Sequence, residues 1–253
     1  MPMTGELLEG AAPFAASNGS TGVLVLHGFT GSPQSVRSLA EAFADAGFAV
    51  ELPLLPGHGT KVEDLLPLGF PDWSAAAEAA YLDLAARSDR IIVAGLSMGG
   101  TLACWLAQHH GDLAGLVLIN PLVEPPAESA VAALRAQLAA GTTLLPAIGS
   151  DIARPGATEV AYDATPLAPL LSLFEATPAI ATRLAEVVCP VLLFSSHHDH
   201  VVPPSSADLV ERAVSGPVER VRLERSYHVA TLDFDAAELE HRAVGFATKV
   251  ASP

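Results

Sequence analysis

The sequence predicts an α/β fold built on a mostly parallel, doubly wound sheet, with helices on both faces and a small inserted cap. Several short, continuous apolar runs are typical of buried parallel strands. Helical patterns separate these runs, and strands that alternate with helices form sheets covered on both faces. One interval between runs spans about 70 residues, where a crossover normally needs far fewer, and this length indicates an insertion.

The predicted strands are the apolar runs, at residues 22–26, 49–52, 90–94, 115–119, 190–195 and 219–223. Apolar residues at helical spacing predict the core helices, at residues 35–46, 73–87, 98–109, 207–214 and 238–250. Gly47 ends the first helix as a C-cap glycine does.

The insertion is predicted to form a cap over residues 122–188, which leaves 1–121 and 189–253 as the core. Helical patterns cover 127–140 and 169–185, and the second is expected to be interrupted near Pro178. An apolar string, 144–148, lies between them. Insertions of this size in α/β domains are typically lids or binding elements.

Composition excludes several classes of protein. A formal charge of −15 argues against nucleic acid as a partner and against tight binding to an anionic membrane. No apolar run reaches the ~18 residues of a membrane-spanning helix, so no stable membrane insertion is expected. The first ten residues contain neither Lys nor Arg and are not a secretory signal, so a cytoplasmic location is expected. Cys104 and Cys189 lie in apolar stretches and are expected to be buried and unpaired.

The strongest motif is the G-x-S-x-G sequence at 95–99, which follows an apolar run and opens a helical pattern. A strand–turn–helix of this kind needs glycine on both sides of the serine because the turn is very tight. The turn holds the Ser97 hydroxyl clear of the sheet, at a helix N-terminus that favours developing negative charge. Ser97 is therefore the predicted nucleophile.

A serine nucleophile needs a base, and in this architecture the acid and then the histidine follow it along the chain. His228 comes just after the last predicted strand, and Asp199 comes just after the strand before it. Asp199 is the predicted acid because it could accept the imidazole Nδ1–H and stabilise the imidazolium. The sequence His197-His198-Asp199-His200 also contains metal-ligand types, but it lacks a regular ligand pair, so no metal and no cofactor are predicted.

Acyl transfer also needs donors for the oxyanion of the tetrahedral intermediate. One predicted donor is the N–H of Met98, directly after the nucleophile. The other is the N–H of Phe29, in the Gly-rich loop after the first strand run. His27 is predicted to hold this loop by hydrogen bonds, and the turn around His58 is interpreted as structural.

Five motifs in order resemble those of the bacterial monoacylglycerol lipase and carboxylesterase family of α/β-hydrolases. They are HGFTGS at 27–32, PGHGT at 56–60, GLSMGGT at 95–101, DHVVPP at 199–204 and SYHVATL at 226–232. The resemblance implies Ser97, Asp199 and His228 as the catalytic triad, with Phe29 and Met98 as the oxyanion donors. It further implies that the stretch Ile148-Gly149-Ser150-Asp151 shapes the acyl tunnel, with Ile148 as its substrate-binding residue, and that Glu159 lies near the glycerol end.

The leading hypothesis is therefore a serine hydrolase that cleaves a small lipid ester, above all monoacylglycerol. A general carboxylesterase for short or medium acyl chains and a non-catalytic ligand-binding scaffold remain as alternatives. A peptidase is disfavoured because no added domain would admit peptides selectively. A dehalogenase is disfavoured because Asp would replace Ser97. The apolar string at 144–148 suggests the further hypothesis of a transient contact between the cap and a lipid interface.

Overall fold

The computed structural model describes residues 6–147 and 149–252, which form nine strands and seven α-helices. The strands are β1 (Phe14–Ser17), β2 (Thr21–Leu26), β3 (Ala49–Leu52), β4 (Arg90–Leu96), β5 (Gly115–Ile119), β6 (Leu144–Pro146), β7 (Ala164–Pro166), β8 (Val191–Ser196) and β9 (Val218–Leu223). The helices are α1 (Arg37–Asp45), α2 (Phe70–Ala85), α3 (Met98–His109), α4 (Glu128–Ala139), α5 (Leu167–Thr182), α6 (Ser205–Ala213) and α7 (Ala236–Ala251).

Seven strands form one sheet in the order β1-β3-β2-β4-β5-β8-β9, in which only the edge strand β1 is antiparallel to its neighbour. The register pairs Leu26 with Gly95 at the ends of β2 and β4, and Ser196 with Leu223 at the ends of β8 and β9. Because parallel strands end at the same edge, the loops that follow these four strands lie along one side of the sheet. The predicted fold class is confirmed.

Each face of the sheet carries its own apolar core. Along β2, Leu24 and Leu26 pack in the cluster that includes α2, α3 and α6, whereas Val23 and Val25 pack in the cluster that includes α1 and α7. The alternation follows from the strand itself, since successive side chains point to opposite faces. Two-sided burial explains why the central strands are continuous apolar runs in the sequence.

All six predicted strands are present with ends within two residues, and all seven predicted helices have ends within three. The expected interruption of the helix at Pro178 is wrong, because α5 continues through it. Proline cannot donate to the carbonyl four residues earlier. Here the Thr177 hydroxyl donates to that oxygen, on Phe174, at 2.8 Å and so replaces the missing bond.

Strand β1 and the pairing of β6 with β7 were not predicted from the sequence. The β1 sequence, Phe-Ala-Ala-Ser, alternates only between half-buried and exposed positions, and its small residues give little hydrophobic contrast. β6 and β7 form a separate antiparallel pair within the insertion. The insertion also contains α4, which buries no residue, and α5, which contacts α2 and α3. The division into a core and a cap at 122–188 stays a prediction.

Among the described residues, no helix combines the length and the apolar character needed to cross a bilayer. Cys104 and Cys189 are buried and free, as expected. Burial raises the pKa of the Cys104 thiol to about 12 and that of Cys189 to about 11.

Candidate active site

Ser97 occupies the sharp turn between β4 and α3, with φ 55° and ψ −115°. A Cβ atom at Gly95 would lie 2.2 Å from the backbone of Gly99, and one at Gly99 would lie 2.1 Å from the carbonyl oxygen of Leu26. Neither distance is sterically allowed, so both positions require glycine. The physical reason given for the motif therefore holds: the turn has no room for side chains beside the serine.

Positive φ angles at residues other than glycine cluster around this turn. Within the described part of the chain they occur at Thr30, Ser97 and Asn120, in the loops after β2, β4 and β5. Such conformations are costly and persist where the surrounding structure imposes them, frequently at functional sites. Backbone strain in this molecule is thus concentrated at the carboxyl edge of the sheet.

His228 and Asp199 meet at the same edge. His228 Nδ1 lies 2.8 Å from Asp199 Oδ2, and both side chains are buried. The other carboxylate oxygen, Asp199 Oδ1, accepts the N–H groups of Val201 and Val202 at 2.8 Å each. These bonds satisfy the ionised carboxylate, which in turn holds the proton of a neutral imidazole on Nδ1. Nε2 is then left as a proton acceptor.

Ser97 and His228 line one cavity with a volume of about 460 Å³. The polar lining side chains are those of Thr30, Ser97, Glu124, Asp151, Glu159, Tyr162, Thr165 and His228. Most of the remaining wall is apolar and includes Phe29, Leu122, Leu170, Leu173, Phe174, Val201 and Val202. Cavities of this size and character suit a small organic ligand with an apolar body and a polar end.

Of the two predicted oxyanion donors, Phe29 lines the same cavity as Ser97, and Met98 directly follows Ser97 in the chain. Phe29 lines the cavity, and its ring centroid lies 5.5 Å from that of Trp73. Met98 is the first residue of α3 and is fully buried. Helix N-termini present N–H groups without intrahelical partners, which is the property that an oxyanion site requires.

The prediction that His27 holds the Gly-rich loop by hydrogen bonds is confirmed. Its Nδ1 lies 2.9 Å from the Gly28 oxygen, and its Nε2 accepts the Leu55 N–H at 3.1 Å. His58 packs against it, with the ring centroids 5.0 Å apart. Burial lowers the pKa of His27 to about 4 and that of His58 to about 3, so both rings are neutral near pH 7.

Glu159 lines the same cavity as Ser97 and His228, and desolvation raises the pKa of its carboxyl. The nearby His228 opposes this shift in part. Ile148 lies outside the described residues.

No metal-binding group of three or more His, Cys, Asp or Glu occurs among the residues that the structure describes. In the histidine-rich loop, His197 packs against His198, and His200 pairs with Asp151.

Two residues whose contacts with His228 were not predicted from the sequence support it. Asn120 donates from Nδ2 to the His228 carbonyl oxygen at 2.7 Å, and its Oδ1 accepts the Ser196 N–H at 2.7 Å. Asp151 accepts the His228 N–H at 3.0 Å. Asn120 had a signal in the sequence, a polar residue directly after a buried strand. Asp151 belongs to the stretch 148–151 that the resemblance relates to the acyl tunnel, but no sequence signal pointed to a contact with His228.

The chain is similar to known proteins in both sequence and fold. The family described as serine aminopeptidase, S33 matches residues 20–235. A thermostable monoacylglycerol lipase from Bacillus sp. (strain H-257) is 47% identical over 247 residues, which is 96% of each chain. A carboxylesterase from Bacillus subtilis (strain 168) is 26% identical over 92% of this chain and 94% of its own. A solved structure from work on LipS and LipT, two metagenome-derived lipolytic enzymes, has a TM-score of 0.92 and 40% identity, and covers 96% of this chain and 100% of that one.

Proposed function

Because the chain belongs to the serine aminopeptidase S33 family of α/β-hydrolases, we propose that it is a serine esterase that hydrolyses monoacylglycerols to glycerol and fatty acids. Its relatives include a monoacylglycerol lipase and a carboxylesterase, so the resemblance inferred from the sequence motifs is confirmed. The 47% identity to this lipase over nearly the whole chain supports a lipid ester, and not a peptide, as the substrate of the present protein.

One observation carries the proposal: a strained serine and a histidine that is paired with a buried carboxylate border a single, largely apolar cavity. In the proposed reaction Ser97 Oγ attacks the ester carbonyl carbon while His228 Nε2 takes its proton. The negative oxygen of the tetrahedral intermediate accepts the N–H groups of Phe29 and Met98. Collapse of the intermediate breaks the ester bond, and His228 returns the proton to the departing alcohol.

Deacylation repeats these steps with water. His228 takes a proton from the water, the hydroxide adds to the acyl carbon, and Ser97 leaves with the proton returned from the imidazolium. Asp199 holds the tautomer throughout and balances the positive charge on the ring. The reaction consumes one water and releases one alcohol and one carboxylic acid, so no further reactant is needed.

The walls of the cavity suit the two halves of a monoacylglycerol. Leu170, Leu173 and Phe174 provide an apolar surface for an acyl chain, whereas Glu159 provides a polar group for a small alcohol. More than half of the lining residues come from the insertion at 122–188. We assign this insertion as a cap that shapes the acyl site.

The test compares hydrolysis of monoacylglycerols of increasing acyl length with that of the matching p-nitrophenyl esters and of aminoacyl p-nitroanilides. Ser97→Ala is the control, and we expect it to lose activity on every substrate. Preference for monoacylglycerols would support the proposal, and the optimal length would report the depth of the cavity. Activity on short activated esters alone would favour a general carboxylesterase, and cleavage of anilides alone would favour a peptidase. Inert wild-type protein would overturn the proposal in favour of a binding protein.

A further inference from the structure

Asp151 connects the insertion to the loops that follow β8 and β9. Its Oδ2 accepts the backbone N–H of His228 at 3.0 Å and that of His200 at 3.1 Å. Its Oδ1 lies 2.8 Å from His200 Nδ1. Its own carbonyl oxygen accepts the Val229 N–H at 3.1 Å. The side chain is only 12% exposed, so these bonds are largely protected from competition with water.

Asp151 Oδ2 forms a bridge between two backbone amide groups that lie in different loops. One belongs to His228 itself, and the other belongs to His200, the residue directly after Asp199. A single oxygen therefore joins the backbones of the two loops that carry the Asp199–His228 pair. This link lies outside the side-chain bond between the pair and constrains the separation of the two backbones on which that bond depends.

A second carboxylate fastens the same segment of the insertion. Asp233, which is buried, accepts the Ala153 N–H at 2.7 Å and the Tyr227 N–H at 2.9 Å on Oδ2. Its Oδ1 accepts the Arg154 N–H at 2.9 Å. The carboxylates of Asp151 and Asp233 thus hold residues 151–154 against residues 227–229 by hydrogen bonds. The insertion is hydrogen-bonded to the histidine loop, which we define as residues 226–229 after β9, and it also forms part of the cavity wall.

We infer that Asp151 is a positioning residue through which the insertion holds His228 and Asp199 at their working distance. The inference rests on the proposed function, since it assigns His228 as the base. Its physical basis is that proton transfer tolerates only small errors in placement. Displacement of a catalytic group by about 1 Å can cost a factor of roughly 100 in rate.

Substitutions at Asp151 and His200 separate the effect of the hydrogen-bonded bridge from the effect of the carboxylate charge. In Asp151→Asn the amide oxygen can still accept both backbone N–H groups, while the NH₂ group faces His200 Nδ1. The His200 ring is 58% exposed and can adopt the tautomer in which Nδ1 accepts. Asp151→Ala removes the whole bridge. His200→Ala removes only the ring and leaves both bonds between amides and carboxylate.

The experiment measures kcat on a soluble p-nitrophenyl ester for these three variants. We expect Asp151→Ala to lower kcat by about 10- to 100-fold. Asp151→Asn and His200→Ala should stay within about threefold of wild type because the bridge survives in both. Asp163→Ala is the matched control, since it removes an exposed carboxylate from the same insertion. Should the alanine variant not fold, Asp151→Ser replaces it, because a hydroxyl is too short to reach both amides.

Proton NMR provides a readout that does not depend on turnover. The Nδ1–H of His228, bonded to a buried carboxylate, should give a far-downfield signal that Asp199→Asn abolishes. We expect the signal to persist in Asp151→Asn and to broaden or vanish in Asp151→Ala. If the wild-type protein is inert but its NMR signals and those of the variants behave as described, the proposed function is wrong and the positioning role of Asp151 is still supported. Unchanged kcat and signal in Asp151→Ala, or an equal loss in Asp151→Asn, would overturn the inference.

Discussion

The side-chain amide of Asn120 donates a hydrogen bond to the carbonyl oxygen of His228 over 2.7 Å. The same amide group donates to Ser196 Oγ at 3.0 Å, and the amide oxygen accepts the Ser196 N–H at 2.7 Å. One buried side chain therefore connects the ends of β5 and β8 with the histidine loop after β9. Its backbone, at φ 43°, is in a conformation that asparagine tolerates better than most residues.

We expect Asn120→Ala to lower the free energy of unfolding by about 2–4 kcal/mol, because it leaves buried polar groups without partners and places alanine at a positive φ. Urea denaturation measures the change. Asn18→Ala is the control: it removes one hydrogen bond, from an exposed amide to the Ala44 oxygen, and should cost about 1 kcal/mol or less. Equal costs in the two variants would contradict the supporting role of Asn120.

We predict that Asp199→Asn lowers kcat on a soluble ester by roughly 10⁴-fold while the protein stays folded. The asparagine NH₂ would donate to His228 Nδ1 and force the ring proton onto Nε2, where it blocks acceptance of the serine proton. Steady-state kinetics and circular dichroism check the two halves of this prediction. Asp163→Asn, which changes an exposed carboxylate, should leave both unchanged. Activity above a tenth of wild type in Asp199→Asn would exclude the assigned role.

Two helical glycines should respond to alanine in opposite directions. At Gly99, in α3, the new Cβ would lie 2.1 Å from the Leu26 oxygen, so the turn cannot form and Gly99→Ala should abolish activity and stable folding. At Gly245, in α7, a Cβ would meet nothing within 4 Å. Gly245→Ala should therefore raise the free energy of unfolding by about 0.5–1 kcal/mol. Thermal denaturation of both variants tests the pair, and a stable, active Gly99→Ala variant would refute the account of the turn.

Stability should fall as the pH is lowered from 6.5 towards 5. The folded-state pKa is about 4 for His27 and about 3 for His58, against 6.5 for an ordinary histidine. In this window the unfolded chain binds protons at these residues and the folded chain does not, so acid favours unfolding. Each histidine should remove about 1.6 kcal/mol over this interval. Glu159 acts in the opposite direction, because its carboxyl has a raised pKa and binds a proton earlier in the folded state.

Urea denaturation at a series of pH values measures this dependence. His58→Phe removes one titrating ring and should reduce the slope by about one proton. Glu159→Gln removes the opposing group and should make the slope steeper. A slope that is the same in wild type and in His58→Phe would show that the buried ring is protonated as readily when folded as when unfolded.

Contact between the cap and a lipid interface is tested at Leu144, which is 37% exposed on β6. Leu144→Asp should reduce activity on emulsified substrate and spare activity on soluble esters, because a carboxylate resists burial in lipid. Leu82→Asp is the matched control, since Leu82 is 53% exposed on α2, outside the insertion. Equal losses on both substrate forms would instead indicate damage to the catalytic site.

Much of the fold was predictable because its signals are local. Central strands buried on both faces are continuous apolar runs, and the helices have a periodic apolar face. The turn around Ser97 was also predictable, because its steric demand falls on glycines two residues away. β1 escaped detection because an edge strand with half-exposed small residues has almost no hydrophobic contrast.

The amino-acid sequence by itself determined six of the nine strands, the helices and the strained serine, since each depends on neighbours a few residues apart. Only the tertiary structure decided how the histidine is held. Asp151 lies 77 residues from His228 along the chain, and Asn120 lies 108 residues from it. Hydrogen bonds of this kind depend on the paths of loops that have no periodic pattern, and their partners become neighbours only after the sheet has brought the strand ends together.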